Sequence, residues 1–214
     1  MQTLTIPVTP FRQNCTLLWC EASLEAAIVD PGGDVPLILE AVARLGVRPV
    51  KILLTHGHLD HVSATAALAA YFAIPVEGPH EAERNLLENL PKHCQAFDFP
   101  PAPAFVPNRW LAQGDTVSFG AEVLEVLHCP GHTRGHVVFF HRADRLALVG
   151  DVLFRGAIGR TDLPGGSLRQ LLDSITGRLW PLGDDVTFIP GHGPRSTFRE
   201  ERRSNPFVAD RVSA

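Results

Sequence analysis

The chain has 214 residues, 45% hydrophobic and 20% charged, which suits one globular domain spanning 1–214. The formal net charge of −4, from 19 basic and 23 acidic residues, argues against an extended nucleic-acid surface. No apolar run of the sequence is long enough to cross a membrane. Residues 1–10 lack the basic segment and long apolar core of a signal peptide, and the four cysteines form no CxxC pair, so we expect a cytoplasmic protein.

Short β-type runs and helical patterns alternate along the first half of the chain. The β-type runs are 4–8, 16–19, 26–29, 50–54 and 75–76. The helical patterns are 36–45, which stops at Gly46, 62–72 and 80–90. From 91 to 108, five prolines and little periodicity predict a surface loop between two halves.

The second half repeats this organisation. Its β-type runs are 116–119, 122–127, 137–141, 146–149 and 186–189, and its main helical pattern is 167–179. The mixed charges of 199–203 indicate a solvated helix face rather than a phosphate-binding patch. Strands, helices, then strands and a helix again suggest two packed sheets with helices outside, although composition alone allows α/β or α+β.

The most informative motif is Thr55-His56-Gly57-His58-Leu59-Asp60-His61, directly after an apolar strand. Because side chains alternate in an extended chain, His56, His58 and Asp60 can project to one side. Neutral imidazole and carboxylate suit zinc, iron or manganese, and the cluster contains no cysteine. The motif predicts a metal site, and its ligand number favours a two-metal site.

Three further polar residues, His132, Asp151 and His192, lie where later β-type runs end. The ends of strands along one sheet edge are where a rigid scaffold brings remote side chains together. The three residues therefore extend the local motif to a predicted active site.

The HxHxDH pattern at 56–61, with His132 in a PGHT sequence, Asp151 after glycine and His192 after glycine, resembles the metallo-β-lactamase superfamily. The resemblance covers nearly the whole chain and implies an α+β fold, a four-layer αββα sandwich with its site at one edge of the sheets. It also implies a ligand set. One metal would be held by His56, His58 and His132, the second by Asp60, His61 and His192, and Asp151 would bridge them.

Within that superfamily, the segments 159–167, 191–194 and 205–207 are similar to small, single-domain glyoxalase II-like hydroxyacylglutathione hydrolases. This implies cleavage of S-D-lactoylglutathione or a related hydroxyacyl thioester, the hydrolytic step of methylglyoxal detoxification. Only 214 − 192 = 22 residues follow His192, whereas larger glyoxalase II enzymes carry an extra helical domain that helps to grip glutathione. We expect a small, glutathione-based thioester held without part of that clamp.

Two neighbouring divalent metals, zinc first among them, can lower the pKa of a bridging water so that hydroxide is available near neutrality. Asp60 is the residue expected to orient that nucleophile in addition to binding metal. A thiolate leaving group, with a pKa of about 8.5, departs without a dedicated general acid. The chemistry therefore favours a thioester over an amide.

Three residues have two interpretations each. Arg160 lies where glyoxalase II enzymes place a basic residue against glutathione, but it could equally pair with Asp162. Asp30 could fix the tautomer of a ligand histidine or simply make a turn. His136 is expected to support the site or the fold rather than bind metal.

The main alternative function is that of the persulfide dioxygenases, which this chain also resembles and which use one iron and oxygen. Those enzymes usually continue Gly-Arg-Thr-Asp with an aromatic, glutamine-rich stretch, whereas residues 163–166 are Leu-Pro-Gly-Gly and favour a hydrolase. A lactonase or β-lactamase is less expected, because the second site uses Asp60 and no cysteine. A non-catalytic role would require a vestigial site, yet all seven ligand positions are filled.

Overall fold

The computed structural model describes residues 1–210, so the last four residues of the predicted domain lie outside the described residues. The first half forms a five-stranded sheet whose strands, in spatial order, are β1 (Gln2–Val8), β2 (Gln13–Trp19), β3 (Glu25–Val29), β4 (Arg48–Leu53) and β5 (Val76–Glu77). The helices of this half are α1 (Val35–Leu45), α2 (Leu59–Val62), α3 (Thr65–Phe72), α4 (Arg84–Glu88) and α5 (Leu90–Ala96).

The second half forms a six-stranded sheet. Its strands are β6 (Thr116–Phe119), β7 (Glu122–His128), β8 (Val137–His141), β9 (Leu146–Gly150), β12 (Thr187–Pro190) and β13 (Ser196–Thr197). Their spatial order is β13-β12-β9-β8-β7-β6. A separate ribbon pairs β10 (Leu153–Phe154) with β11 (Ala157–Ile158), and the helices are α6 (Leu168–Ser174) and α7 (Phe198–Ser204).

Successive residues of the central strands enter different cores, because side chains alternate across a sheet. On β2, Leu17 packs with α1 and α3, whereas Leu18 enters the core between the two sheets. On β8, Phe139 fills that same central core, and Phe140 packs beneath α6 and α7. These three layers of apolar contact confirm the predicted αββα sandwich.

Helix ends follow local sequence signals. Gly46 ends α1 in the left-handed conformation, with φ of 64°, as the predicted stop requires. Ser167 caps α6 by accepting from the Gln170 amide, and Thr197 caps α7 by accepting from the Glu200 amide. The charged segment 199–203 lies within α7, which confirms the predicted helix, but its face is not wholly solvated, because Glu201 is buried and accepts from the Gly156 amide.

Four predicted boundaries were wrong. The 62–72 helix is divided into α2 and α3, because the Ala64 amide donates to Pro31 and ties the chain to the turn after β3. The 80–90 helix is a 3-10 turn, Glu81–Glu83, followed by α4. The 167–179 helix keeps α geometry only in α6 and then widens into a π turn, Ile175–Leu179.

The predicted 91–108 loop begins instead with α5. Pro91 lies in the first turn of that helix, where the missing N–H costs no hydrogen bond. The sequence-based prediction therefore mistook a helix-starting proline for a helix breaker. Across residues 1–210, every helix is too short or too polar to cross a membrane.

Strand direction brings the carboxyl ends of several strands to one edge. The strands β3 and β4 are parallel, as are β9 and β12, and β7 runs in the direction of β9 because both are antiparallel to β8. A register shift at Ile189/Pro190 lets Pro190 pair with Gly150, immediately before Asp151 and His192. Such irregularities re-aim side chains next to functional sites.

Truncating the central aromatic side chain, Phe139→Ala, should lower the free energy of unfolding by about 3–5 kcal/mol, because Phe139 is fully buried between the sheets. The control Val123→Ala, on the same sheet but half exposed, should cost far less. Urea titration would measure both, and equal losses would contradict this account of the core.

Candidate metal centre

Two groups of three ligand side chains meet at the sheet edge described above. The first comprises His56, His58 and His132. The second comprises Asp60, His61 and His192. Within each group, one ligand atom per residue lies within 4.8 Å of the others, so either group could hold one metal ion. The structure thus brings all six residues together at the edge that the sequence indicates.

The first triad points three nitrogens at one centre. Nδ1 of His58 lies 3.1 Å from Nε2 of His56 and 2.9 Å from Nε2 of His132. His56 is fully buried and His132 nearly so. Three imidazole nitrogens facing one another at these distances are the arrangement that a cation would satisfy.

Hydrogen bonds on the far side of two rings fix which nitrogen carries the proton. His132 donates from Nδ1 to the Arg160 carbonyl at 2.7 Å. His56 donates from Nδ1 to the Thr55 hydroxyl at 3.0 Å, since that hydroxyl itself donates to Asp30. The Nε2 atom of each ring therefore carries a free lone pair. Hydrogen-bond partners on the outer side of the ring orient metal-binding histidines in this way.

The second triad is arranged in the same way. His61 donates from Nδ1 to Asp30 Oδ2 at 2.9 Å, and His192 donates from Nδ1 to the Phe11 carbonyl at 3.1 Å. Their Nε2 atoms are left to face Asp60 Oδ2, at 3.9 and 3.2 Å respectively. The interpretation of Asp30 as an orienting residue is therefore confirmed.

Asp30, His56 and His61 also lie close enough to hold an ion. Both oxygens of Asp30 are already engaged, however, because Oδ1 accepts from the Thr55 amide and Oδ2 from Thr55 and His61. We therefore assign Asp30 to the support of the site rather than to a metal.

Asp151 lies between the two triads. Its Oδ1 is 3.3 Å from His61 Nε2, and its Oδ2 is 3.6 Å from His132 Nε2 and 3.7 Å from His192 Nε2. Among residues 1–210, neither Asp151 Oδ1 nor His61 Nε2 has a hydrogen-bond partner, although both atoms are buried. Buried, unpaired lone pairs are costly, so these residues fit a divalent cation.

Gly191 makes room for this arrangement. A Cβ at position 191 would lie 2.1 Å from Asp151 Oδ1 and 2.6 Å from His61 Cε1. A side chain at this position would therefore displace the bridging carboxylate. This steric limit explains the Gly191-His192 pair.

The two triads differ in electrostatics. Burial, helped by neighbouring imidazoles, lowers the pKa of His56 and His58, that of His58 to about 3, and burial also lowers that of His132. Burial also opposes a charge on His61, but the carboxylates of Asp151 and Asp60 raise its pKa well above the ordinary value. The carboxylates therefore make the second triad more favourable for a positive charge than the first triad.

Arg160 contributes through its backbone. Its guanidinium is exposed and makes two hydrogen bonds to Asp162, at 2.8 and 2.7 Å. This is the ion-pair interpretation of the two that the sequence allows. The Arg160 carbonyl, which sequence analysis did not single out, orients His132.

The remaining candidates support the site or the fold. His136 accepts from the Asp151 amide at 3.0 Å and stacks on His56, with ring centroids 4.7 Å apart, so it positions ligands as expected. His141 is a buried, satisfied histidine between Glu122 and Asp144. Cys129 packs in the core, and burial raises the pKa of its thiol to about 12.

Glu83 is an important residue that the sequence analysis missed. Its buried carboxylate accepts from the Gly57 amide at 2.8 Å and from the Gly135 amide at 2.6 Å. It thereby joins the loop that carries His56 and His58 to the loop that carries His132. Glu83 lies in a charged run, Glu81-Ala82-Glu83-Arg84, which by sequence indicates only an exposed helical turn.

The fold and the paired triads define a metal-binding domain of the αββα class. The family model of the metallo-beta-lactamase superfamily matches residues 8–192, and the chain belongs to that superfamily. The hydroxyacylglutathione hydrolase GloC of Haemophilus influenzae is 44% identical over 204 residues, which are 95% of this chain and 96% of GloC. The predicted membership and the prediction of a hydrolase are confirmed.

Solved structures agree on the fold. The BLEG-1 B3 metallo-beta-lactamase has a TM-score of 0.90 and 35% identity, covering 97% of this chain and 99% of its own. The TTHA1623 protein in a di-iron-bound form has a TM-score of 0.88 and 35% identity, and the match covers 96% of this chain and 100% of the TTHA1623 chain. ETHE1 from Myxococcus xanthus has a TM-score of 0.81 and 28% identity, and the match covers 98% of this chain and 85% of the ETHE1 chain.

Metal affinity of the second triad should fall with decreasing pH, by about tenfold per pH unit for each displaced proton, because the raised pKa of His61 makes a proton compete with metal. Affinity of the first triad should vary little near neutrality, since its histidines are already neutral. Zn²⁺ calorimetry in buffers of different ionisation enthalpy would count the protons released. Equal pH dependence at both sites would contradict this difference.

Glu83→Gln should weaken metal binding by about 10- to 100-fold, because an amide NH₂ would face one of the two backbone N–H groups that the carboxylate now accepts. Competition with a chromophoric chelator would measure the change. Glu81→Gln, an exposed neighbour in the same turn, serves as the control. Unchanged metal affinity in Glu83→Gln would show that Glu83 does not support the metal site.

Proposed function

We propose that this protein is a thioester hydrolase that cleaves S-D-lactoylglutathione, or a related hydroxyacyl thioester, to the hydroxy acid and the thiol. The observation that carries the proposal is the pair of ligand triads sharing Asp151 at one sheet edge. The similarity to GloC over nearly the whole chain supports the thioester substrate.

We assign His56, His58 and His132 to one divalent metal and Asp60, His61 and His192 to a second, with Asp151 between them. The ring orientations support this assignment, because outer oxygen atoms accept from four Nδ1 atoms and leave the corresponding Nε2 atoms facing the two centres. Nitrogen and carboxylate ligands suit zinc, and they also accept iron or manganese. The similarity to a di-iron-bound protein supports two metal positions.

When bound, the metals would activate a water molecule near neutral pH and polarise the substrate carbonyl. The neighbouring imidazoles outweigh burial and lower the pKa of Asp60, which keeps this carboxylate ionised. Asp60 can therefore accept a hydrogen bond from the attacking water and aim its lone pair at the carbonyl carbon. The thiolate, with a pKa of about 8.5, leaves without a protonated side chain.

Persulfide dioxygenation is the second candidate, and the similarity to ETHE1 favours it. The sequence Leu163-Pro164-Gly165-Gly166 after Gly-Arg-Thr-Asp favours the hydrolase. We place the protein in the reducing cytoplasm as a single domain, a location supported by four buried, free cysteines.

The deciding experiment is the initial rate of S-D-lactoylglutathione hydrolysis by metal-replete protein, followed as loss of thioester, with matched metal-free protein as the control. We expect a metal-dependent rate at sub-millimolar substrate. No such rate from folded, metal-loaded protein would overturn the proposal. Oxygen uptake with glutathione persulfide in the same sample would then support the dioxygenase.

His58→Ala should lose metal from the first triad and hydrolysis together, since it removes one of three converging nitrogens. His93→Ala, in α5 and outside both triads, should keep both properties. Elemental analysis and the thioester assay would be run on the same samples. Full activity in His58→Ala would exclude the proposed centre.

A further inference from the structure

A groove of about 560 Å³ lies between the loop that carries His132 and the start of α6. Its volume falls within the range of small-molecule sites. The lining residues include His128, Pro130, Arg134, Gly165, Ser167 and Gln170. Pro130 and Arg134 stand on either side of His132 in the sequence, so the groove lies against the loop that carries this residue of the first triad.

Backbone contacts fix the groove to the metal centre. The Ser167 amide donates to the Gly131 carbonyl at 2.7 Å, directly before His132. A Cβ at Gly166 would lie 2.4 Å from the Thr161 carbonyl, so this wall also packs against the residue after Arg160. A molecule in the groove would therefore lie beside the loop that presents His132.

The groove is cationic in an acidic protein. Arg134 is exposed and forms no ion pair with any residue from 1 to 210. Its side chain runs along Gly165, where a Cβ would lie 3.4 Å from Arg134 Cγ and 3.5 Å from Nε. Arg178 donates to the His128 carbonyl behind the groove. None of the described lining residues is acidic.

The two arginines near His132 differ in availability. Asp162 already occupies the guanidinium of Arg160 with two hydrogen bonds, whereas Arg134 keeps its donors free. An arginine fork matches a carboxylate in a bidentate way. The Gln170 side chain adds neutral hydrogen-bonding groups to the same groove.

We propose that this groove binds a carboxylate of the peptide thiol carrier, with Arg134 as its bidentate partner and Gln170 as a further polar contact. This inference rests on the proposed thioester hydrolysis and gives its substrate an anchoring point within the superfamily domain itself. Arg134 acts on substrate binding and takes no part in bond breaking.

The test compares Arg134→Gln with Arg44→Gln, an exposed arginine in the last turn of α1. Two substrates carry the same D-lactoyl group, one on glutathione and one on the neutral thiol N-acetylcysteamine. Arg134→Gln should raise KM for the glutathione thioester about tenfold, the effect of losing one charged hydrogen-bond pair, and leave kcat unchanged. Arg134→Gln should leave KM for the neutral thioester unchanged. Arg44→Gln should leave kcat and KM unchanged for both substrates.

Arg134→Lys should recover only part of the affinity, because lysine keeps the charge and loses the fork. A D-lactoyl thioester of γ-glutamylcysteinamide, which lacks glycine and carries no carboxylate at that end, identifies the carboxylate. If the Arg134→Gln effect disappears with this substrate, the glycine carboxylate binds in the groove. If the effect remains, the γ-glutamyl carboxylate binds there.

Calorimetric binding of S-methylglutathione to metal-replete protein separates this inference from the proposed function. If S-methylglutathione binding weakens about tenfold in Arg134→Gln and the protein hydrolyses no thioester, the proposed binding groove is supported and the proposed hydrolase activity is overturned. If the protein hydrolyses the glutathione thioester but Arg134→Gln changes neither KM for it nor the affinity for S-methylglutathione, only the proposed binding groove is overturned. Absence of both hydrolysis and binding in the unmodified protein would reject both proposals.

Discussion

The arrangement of the site depends on the cost of burying lone pairs that face one another. Five imidazoles and two carboxylates converge at one sheet edge, and two of their inward atoms, His61 Nε2 and Asp151 Oδ1, have no hydrogen-bond partner among the described residues. In a buried environment, such atoms need either a proton or a cation. Carboxylates make the second triad favourable for a positive charge, whereas burial makes the imidazoles of the first triad favour the neutral form. Divalent metals would resolve both situations.

The αββα sandwich holds these ligand side chains in a rigid arrangement. Each ligand loop follows a strand whose side chains are anchored in an apolar core, and an outer layer of oxygen acceptors sets the ring orientations. Glu83 joins two of these loops through backbone amides rather than through the ligands themselves. Ligand geometry therefore depends on packing far from the metals, and residues outside the motif control metal affinity.

Substrate selection is separate from this metal chemistry. The triads place reactive groups, but they carry no information about the thiol carrier. At the rim, Asp162 pairs with Arg160, whereas Arg134 forms no ion pair among residues 1–210 and lies beside an uncharged wall. Superfamily members can share a metal centre and differ in substrate because the rim belongs to variable loops.

The sequence by itself predicted the seven candidate ligand positions, because HxHxDH is a local pattern and the other three residues each follow an apolar strand. It also predicted ten of the thirteen described strands, missing only β10, β11 and β13 of two residues each, since alternation and β-branched runs are short-range signals. The tertiary structure alone decided the contacts of Glu83 and of the Arg160 carbonyl, and it divided the 62–72 helix. These features depend on contacts between residues distant in the chain, and no local pattern encodes a hydrogen bond across 52 positions.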